Sequence, residues 1–156
     1  MAEFRQVLQE TANAFVENNT LAVKKRDVSL FSAILTEDCV RMYRPLSFIQ
    51  RYPQFFKAEI TNADYEAQMG VELQTMTDVS QMITRTVIDT AERRATLWSE
   101  QTVHTADGTT SKVEVIWGLS FSEDGTRVSQ IVEFVDTYEA TMVLEQMLAK
   151  MKEGTA

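Results

Sequence analysis

The sequence has almost no cysteine or histidine, and this scarcity limits its chemistry. Its single cysteine, Cys39, cannot form an intramolecular disulfide, and one cysteine with one histidine offers no spacing for a zinc site. A chain without disulfides fits a reducing compartment, and we expect a cytoplasmic protein. His104, the one histidine, lies at the end of a strand-like run, where an exposed and inert role is more common than catalysis.

Long apolar runs and an excess of positive charge are also missing. No segment reaches the roughly 18 apolar residues of a membrane-spanning helix, and the N-terminal residues lack the apolar core of an export signal. Two prolines and five glycines argue against long disordered stretches. A formal net charge of -8 repels phosphate backbones and anionic lipids, so neither nucleic acid nor a membrane is an expected partner.

What the chain does contain is enough apolar sequence for one core. Its 156 residues, 44% of them hydrophobic, can bury a core without disulfides or metal, and we expect residues 1–156 to form a single domain. Apolar residues at three- and four-residue spacing predict a helix over residues 2–18, which Asn18 and Asn19 would end. The same spacing predicts a final helix after Asp136, with an apolar stripe from Leu144 to Met151, which Gly154 would end.

Capping signals mark two helices between these. Asp27 can cap a short helix, and Thr61 with Asp64 has the spacing of a capping box, which predicts a helix ending near Met69. Residues 46–60 are aromatic-rich without a regular period, so we expect a loop with short helical turns there.

Most of the second half of the chain alternates in the manner of β-strands. Alternation and polar linking segments predict strands at residues 71–78, 81–89, 93–104, 113–121 and 127–135. A Glu-Asp-Gly turn joins the last two strands, and Asp107-Gly108 joins the strand before them to this hairpin. The pattern leaves open whether Ala95 and Leu97 or Thr96 and Trp98 face the core. This order predicts an α+β fold whose helices cover one face of a curved sheet.

Several short segments resemble a known family. They are Asp38–Pro45, Val87–Asp89, Arg93–Arg94, Phe121–Gly125 and Glu133–Asp136. They are similar to small SnoaL-like proteins of fungal natural-product biosynthesis, within the nuclear transport factor 2-like superfamily. The resemblance implies a cone-shaped α+β barrel, in which a curved antiparallel sheet wraps around helices and encloses an apolar cavity. It also implies a homodimer and cofactor-free chemistry on polycyclic intermediates.

The resemblance also indicates candidate catalytic residues. The family's pocket arginine matches Arg41, and its late-strand glutamate matches Glu133. A carboxylate in an apolar cavity can act as general acid or base, and a guanidinium can stabilise an oxyanion. The pattern alone favours a structural ion pair or two solvated side chains, and the resemblance gives catalysis equal standing. Tyrosines that many relatives carry before the penultimate strand are replaced here by Ser111 and Val115, which weakens any mechanism that needs phenol donors.

The candidate substrate-binding residues are Tyr43, Trp117, Trp98, Val115 and Phe56. Core packing is the alternative role for such apolar and aromatic side chains. The expected function is that of a cofactor-independent isomerase or cyclase acting on a polycyclic, mostly apolar small molecule, with neither a metal nor a cofactor. A dehydratase or epoxide hydrolase on the same fold, and a non-catalytic module for ligand binding or dimerisation, are the alternatives left open.

Overall fold

The structure, a computed structural model, describes residues 1–154. A curved six-stranded sheet and packed helices form an α+β fold, which confirms the predicted class. The elements in chain order are α1 (Ala2–Lys25), a 3₁₀ helix (Val28–Phe31), β1 (Leu35–Arg44), α2 (Leu46–Arg51), β2 (Glu59–Thr61), α3 (Asn62–Glu72), β3 (Met76–Asp89), β4 (Arg94–Thr105), β5 (Thr110–Phe121), β6 (Val128–Val135) and α4 (Thr137–Gly154).

The strand order brings distant parts of the chain together. The sheet runs β2-β1-β6-β5-β4-β3, and each neighbouring pair is antiparallel except β1 and β6, which are parallel. In this register Tyr43 on β1 lies beside Glu133 on β6, and Glu133 lies opposite Trp117 on β5. The predicted hairpins β4–β5 and β5–β6 are both present, and Gly125 in the second turn has a φ of 76°, a backbone conformation that favours glycine.

Side-chain alternation gives the sheet one buried face. On β4 the residues Ala95, Leu97 and Ser99 are buried, so the face that the sequence left open is now assigned. Trp98 points to the opposite face, where the guanidinium carbon of Arg85 lies 5.3 Å from its ring centroid. The period of two in β-strands accounts for this separation of neighbouring residues.

Helix α1 is longer than predicted. The prediction that Asn18 and Asn19 end it is wrong, because Asn19 is itself buried and Ala22 and Val23 continue the apolar stripe. The helix ends where Arg26 takes a left-handed conformation with a φ of 57°, and its backbone N–H satisfies carbonyl groups of the last turn. Burial of the stripe therefore outweighs the poor helix propensity of asparagine.

The centre of the chain is more regular than the sequence indicated. Thr61 and Asp64 form the predicted capping box, but α3 continues beyond Met69 to Glu72. The strand predicted at residues 71–78 is wrong over its first part, because the helix and a turn occupy those positions before β3 begins at Met76. Asp27 caps a 3₁₀ helix by accepting a hydrogen bond from the N–H of Ser29, as predicted.

Helix α4 packs across the end of the fold. Asp136 caps its first turn by accepting hydrogen bonds from the N–H groups of Tyr138 and Glu139. Leu144 is buried, and Glu145 accepts a hydrogen bond from the Tyr52 hydroxyl at 2.9 Å. Within residues 1–154, neither α4 nor any other helix combines the length and apolar composition needed to cross a membrane.

Two apolar clusters fill the interior. The first joins α1 to strands β4, β5 and β6 and includes Phe15 and Trp117, whose ring centroids lie 5.2 Å apart in an edge-to-face contact. The second joins α2, α3 and α4 and includes Tyr43 and Tyr65. The guanidinium of Arg41 lies between them, since it contacts rings of both clusters. A polar group is therefore buried at the boundary of two apolar regions.

Candidate active site

Arg41 and Glu133 form an ion pair inside the fold. Because strands alternate, Arg41 points inward together with Cys39 and Tyr43, and the parallel pairing with β6 brings Glu133 to the same face. Arg41 Nη1 donates a hydrogen bond to Glu133 Oε2 at 2.9 Å. The Arg41 side chain is 3% exposed and that of Glu133 is 15% exposed. Solvent or a ligand can therefore reach the pair on the carboxylate side.

The guanidinium of Arg41 has spare capacity to bind an oxygen atom. Its carbon lies 3.5 Å above the centroid of the Tyr65 ring and 5.7 Å from that of Trp117, so its planar face is stacked and its edge is left for hydrogen bonds. Nη2 is buried and has no hydrogen-bond partner within residues 1–154. A buried donor of this kind costs about 1–3 kcal/mol while it stays unpaired, so an acceptor placed there would bind favourably.

Burial and pairing act on Glu133 in opposite directions. Burial raises the pKa of the Glu133 carboxyl above its usual value, and the charge and hydrogen bond of Arg41 only partly oppose this rise. A carboxyl group with a raised pKa is better matched to proton transfer near neutral pH than an exposed one. Arg41 stays charged and serves as a donor rather than as an acid.

A half-buried carboxyl group, that of Glu72 on α3, is hydrogen-bonded through Gln68 to Tyr43, and the sequence pattern did not indicate it. Gln68 accepts a hydrogen bond from the Tyr43 hydroxyl at 3.4 Å and donates one to Glu72 Oε1 at 3.0 Å. Burial raises the pKa of Glu72, and the Gln68 hydrogen bond opposes that rise while the charge of Glu133 adds to it. The missed signal is the spacing of Tyr65, Gln68 and Glu72, which repeats every three to four residues and places them on one helix face.

Four of the five predicted substrate-binding residues lie on the buried side of the fold. Tyr43 is buried next to Glu133, and burial raises the pKa of its phenol. The Phe56 ring lies 5.2 Å from that of Tyr43. Trp117 is buried opposite Glu133, and Val115 is two residues before it on the same face of β5. Tyr43 and Trp117 thus flank the ion pair on both sides.

Trp98 is separated from this group. It lies on the other face of the sheet, because β4 turns Leu97 and Ser99 inward on either side of it. There it lines a cavity of about 190 Å³ together with Thr84, Glu114 and Ile116. The structure therefore does not support Trp98 as a wall of the site that holds Arg41 and Glu133.

Potential metal ligands are scattered in the structure. Within the described part of the chain, no three histidine, cysteine, aspartate or glutamate side chains lie close enough together to hold a metal ion. Cys39 is buried two residues before Arg41, and burial raises the pKa of its thiol to about 11 despite that positive charge. A thiol in this state is a weak nucleophile.

Solved structures identify the fold. Over 96% of both chains, this chain superposes on the BvnE pinacolase of Penicillium brevicompactum with a TM-score of 0.80 at 18% identity. PrhC of Penicillium brasilianum matches 95% of this chain with 92% of its own, at a TM-score of 0.78 and 18% identity. An NTF2-like protein of Burkholderia pseudomallei matches 86% of this chain with 94% of its own, at a TM-score of 0.62 and 13% identity.

These matches confirm that the chain has the SnoaL-like, NTF2-like fold that its sequence resembles. At such low identities they establish the fold alone. No protein-family model matches the sequence, and a comparison with curated proteins finds no match. The chemistry has to be argued from the residues of this chain.

Proposed function

We propose that this protein is a cofactor-independent isomerase or cyclase of fungal secondary metabolism. Its substrate would be a polycyclic, mostly apolar natural-product intermediate, rearranged by general acid–base catalysis. The observation that carries this proposal is the Arg41–Glu133 pair, in which a buried carboxylate stands beside a guanidinium nitrogen that has no partner of its own within residues 1–154. A purely structural pair gains nothing from leaving that buried nitrogen unpaired.

The pair provides the two functions that a rearrangement requires. Glu133 removes a proton from the substrate, because its raised pKa makes it a stronger base than an exposed glutamate. Arg41 Nη2 holds the oxygen on which negative charge develops, because this buried nitrogen has no other acceptor within residues 1–154. Since Nη1 keeps its bond to Glu133, the base and the oxygen-binding nitrogen stay at a fixed separation.

The surroundings suit a flat apolar molecule. Tyr43, Trp117 and Phe56 present aromatic surfaces around the pair, and Tyr65 covers one face of the guanidinium. Such surfaces hold fused rings by stacking and by excluding water. In this arrangement the shape of the bound conformer, rather than a reactive cofactor, determines which bond rearranges.

The first test is a product assay with matched variants. Purified protein is incubated with a panel of polycyclic ketones and 1,3-dicarbonyl compounds, and products are separated by chromatography with mass detection. Glu133→Gln and Arg41→Ala should each abolish product formation. Glu114→Gln, on the exposed outer face of β5, should leave it unchanged. Products formed equally by all variants, with circular dichroism showing intact folding, would refute the assignment; no conversion of any compound would favour a binding module.

Hydrolysis or dehydration is a second candidate, and the half-buried Glu72 and Gln68 favour it. Together with Tyr43 they offer enough polar atoms near Glu133 to hold a water molecule, which epoxide opening requires. The two candidates differ in product mass. Isomerisation leaves the mass unchanged, hydrolysis in ¹⁸O-labelled water adds one labelled oxygen, and dehydration removes one water.

We further propose that the protein forms a homodimer, as the family resemblance implies. Light scattering coupled to size-exclusion chromatography measures this directly. The expected mass is twice that of the chain, and a single-chain mass at micromolar concentration would refute the proposal.

A further inference from the structure

Glu72 is a poorly placed residue by the rules of helix stability. It is the last residue of α3, where the helix dipole is negative and a carboxylate is unfavourable by about 0.3–1 kcal/mol. It is also half-buried and faces a second acidic group, Glu133, whose charge it feels. Residues that break local rules without a compensating gain in stability concentrate at functional sites.

Hydrogen bonds link Glu72 to Tyr43, which is next to Glu133 in the sheet. Gln68, one turn earlier on α3, donates to Glu72 and accepts from the Tyr43 hydroxyl. Tyr43 in turn pairs with Glu133 in the register of the adjacent strands β1 and β6. Tyr43 therefore has Glu133 beside it in the sheet and Glu72 at the far end of its hydrogen-bonded set.

The two carboxyl groups have different hydrogen-bond partners, and these partners favour different protonation states. Glu133 is paired with a cation, Arg41, whereas Glu72 is hydrogen-bonded to the neutral amide of Gln68. Two neighbouring carboxyl groups resist double ionisation, and the one beside the cation ionises first. Glu133 is therefore better placed to carry the negative charge, and Glu72 is better placed to hold a proton.

We propose that Glu72 is the second catalytic carboxyl group of this site, which donates a proton to the substrate while Glu133 accepts one. This inference rests on the proposed function and deepens it. It defines the substrate class as a compound with an acidic C–H bond next to a carbonyl group, whose oxygen binds at Arg41 Nη2.

The proton steps balance within the site. Glu133 takes the proton of the C–H bond, and the electron pair of that bond forms an enolate whose oxygen is held by Arg41. The enolate then forms a new C–H bond with the proton of Glu72, on the opposite face of the same carbon, so the configuration at that carbon is inverted. The substrate has lost one proton and gained one, so it is isomerised. Both carboxyl groups regain their first state by proton exchange with water, which reaches them because neither is fully buried.

The first experiment needs no substrate. Protein labelled with ¹³C at the glutamate carboxyl carbon is titrated by NMR, and Glu72→Gln and Glu66→Gln assign two signals from the same helix. Besides Gln68, the groups that face Glu72 are Glu133, Tyr43 and Tyr65. The Glu72 signal should titrate at higher pH than a glutamate carboxyl group does in an unfolded peptide. A Glu72 signal that titrates at the unfolded-peptide value would overturn the proposal.

The second experiment separates the two proton steps. A panel compound that the wild type converts is incubated in D₂O, and exchange of its acidic hydrogen is measured apart from product formation. Glu72→Gln should reduce product formation by about 10²–10⁴-fold while exchange by Glu133 stays within threefold of wild type. Glu133→Gln should lose both activities, and Glu66→Gln should keep both.

The outcomes separate this inference from the proposed function. If the wild type converts a compound and Glu72→Gln matches Glu66→Gln, Glu72 is not catalytic although the function stands. An equal loss of exchange and product formation in Glu72→Gln assigns it a merely structural role and overturns the inference. If the wild type converts nothing, the proposed function fails, and the role of Glu72 fails with it even where its NMR signal titrates high.

Discussion

Replacing Arg41 by methionine should destabilise the protein in a way that depends on pH. Methionine preserves much of the volume of the side chain but leaves the Glu133 carboxyl buried without its cation. Removing one partner of a buried ion pair costs about 3–5 kcal/mol. Because the Glu133 side chain is 15% exposed, we expect a cost at the lower end of this range, about 3 kcal/mol near pH 8.

The pH dependence follows from the direction of the Glu133 shift. Burial already raises the pKa of Glu133 above that of the unfolded chain, so the native state binds this proton more tightly. The contribution of Glu133 to the free energy of unfolding is therefore complete below its unfolded pKa. It is lost as the pH rises from the unfolded pKa to the native pKa. Without Arg41 the pKa of native Glu133 rises further, so this pH interval extends to higher pH. The cost of Arg41→Met should thus shrink to about 1 kcal/mol near pH 5, mostly the lost stacking on Tyr65.

Thermal unfolding followed by circular dichroism measures this difference. For a chain of this length 1 kcal/mol corresponds to roughly 2–4 °C, so Tm should drop by about 6–12 °C near pH 8. The double variant Arg41→Met with Glu133→Leu should recover most of this loss, because no buried charge is left. Arg44→Met, on the other face of the same strand, is the control and should show no pH-dependent loss. A Tm drop that is equal at all pH values, or no recovery in the double variant, would refute the electrostatic reasoning.

Three further predictions concern packing and reactivity. Gly125→Ala should cost roughly 2–4 kcal/mol in chemical denaturation, because its φ is 76° and its new methyl group would meet a buried leucine carbon at 2.8 Å. Gly108→Ala, at a φ of 85° with open space around it, should cost only about 1 kcal/mol, and equal costs would contradict this. Ser99→Ala removes the hydroxyl that accepts from the Trp117 indole N–H and the Gln81 amide, so it should lower the free energy of unfolding by about 1–3 kcal/mol. An equal loss in Ser80→Ala, at an exposed position, would contradict this explanation. Cys39, with a thiol pKa of about 11, should stay unreactive toward a disulfide reagent below that pH until the protein unfolds, and rapid labelling of native protein would disprove this.

Local sequence patterns predicted the parts of the fold that local chemistry determines. The capping box at Thr61 and the turn glycines Gly108 and Gly125 fix the start of a helix and the ends of two hairpins, and all three are present. The parallel pairing of β1 with β6 was not predictable in this way. It joins positions such as Arg41 and Glu133 that lie 92 residues apart, and only packing of the whole chain brings them together.

The errors have the same cause. Asn19 was expected to end α1 because asparagine is a weak helix former, yet the helix continues through this buried position to Lys25. The face of β4 was undecided because Trp98 and Leu97 suit a core equally well by composition. Glu72 was missed because α3 was expected to end near Met69, which removed the last turn and its carboxyl group from consideration.

The most direct test of the account is the rate of one converted compound with wild type and with Glu133→Gln. The amide keeps the size of the side chain and can still accept from Arg41, but it cannot take up a proton. If Glu133 is the general base, the single-turnover rate should fall by about 10²–10⁴-fold. Tm should also fall, because buried Arg41 loses its counter-charge, so the rates are compared at a temperature where both proteins are folded. A rate within threefold of wild type would contradict the claim that this carboxyl group moves the proton.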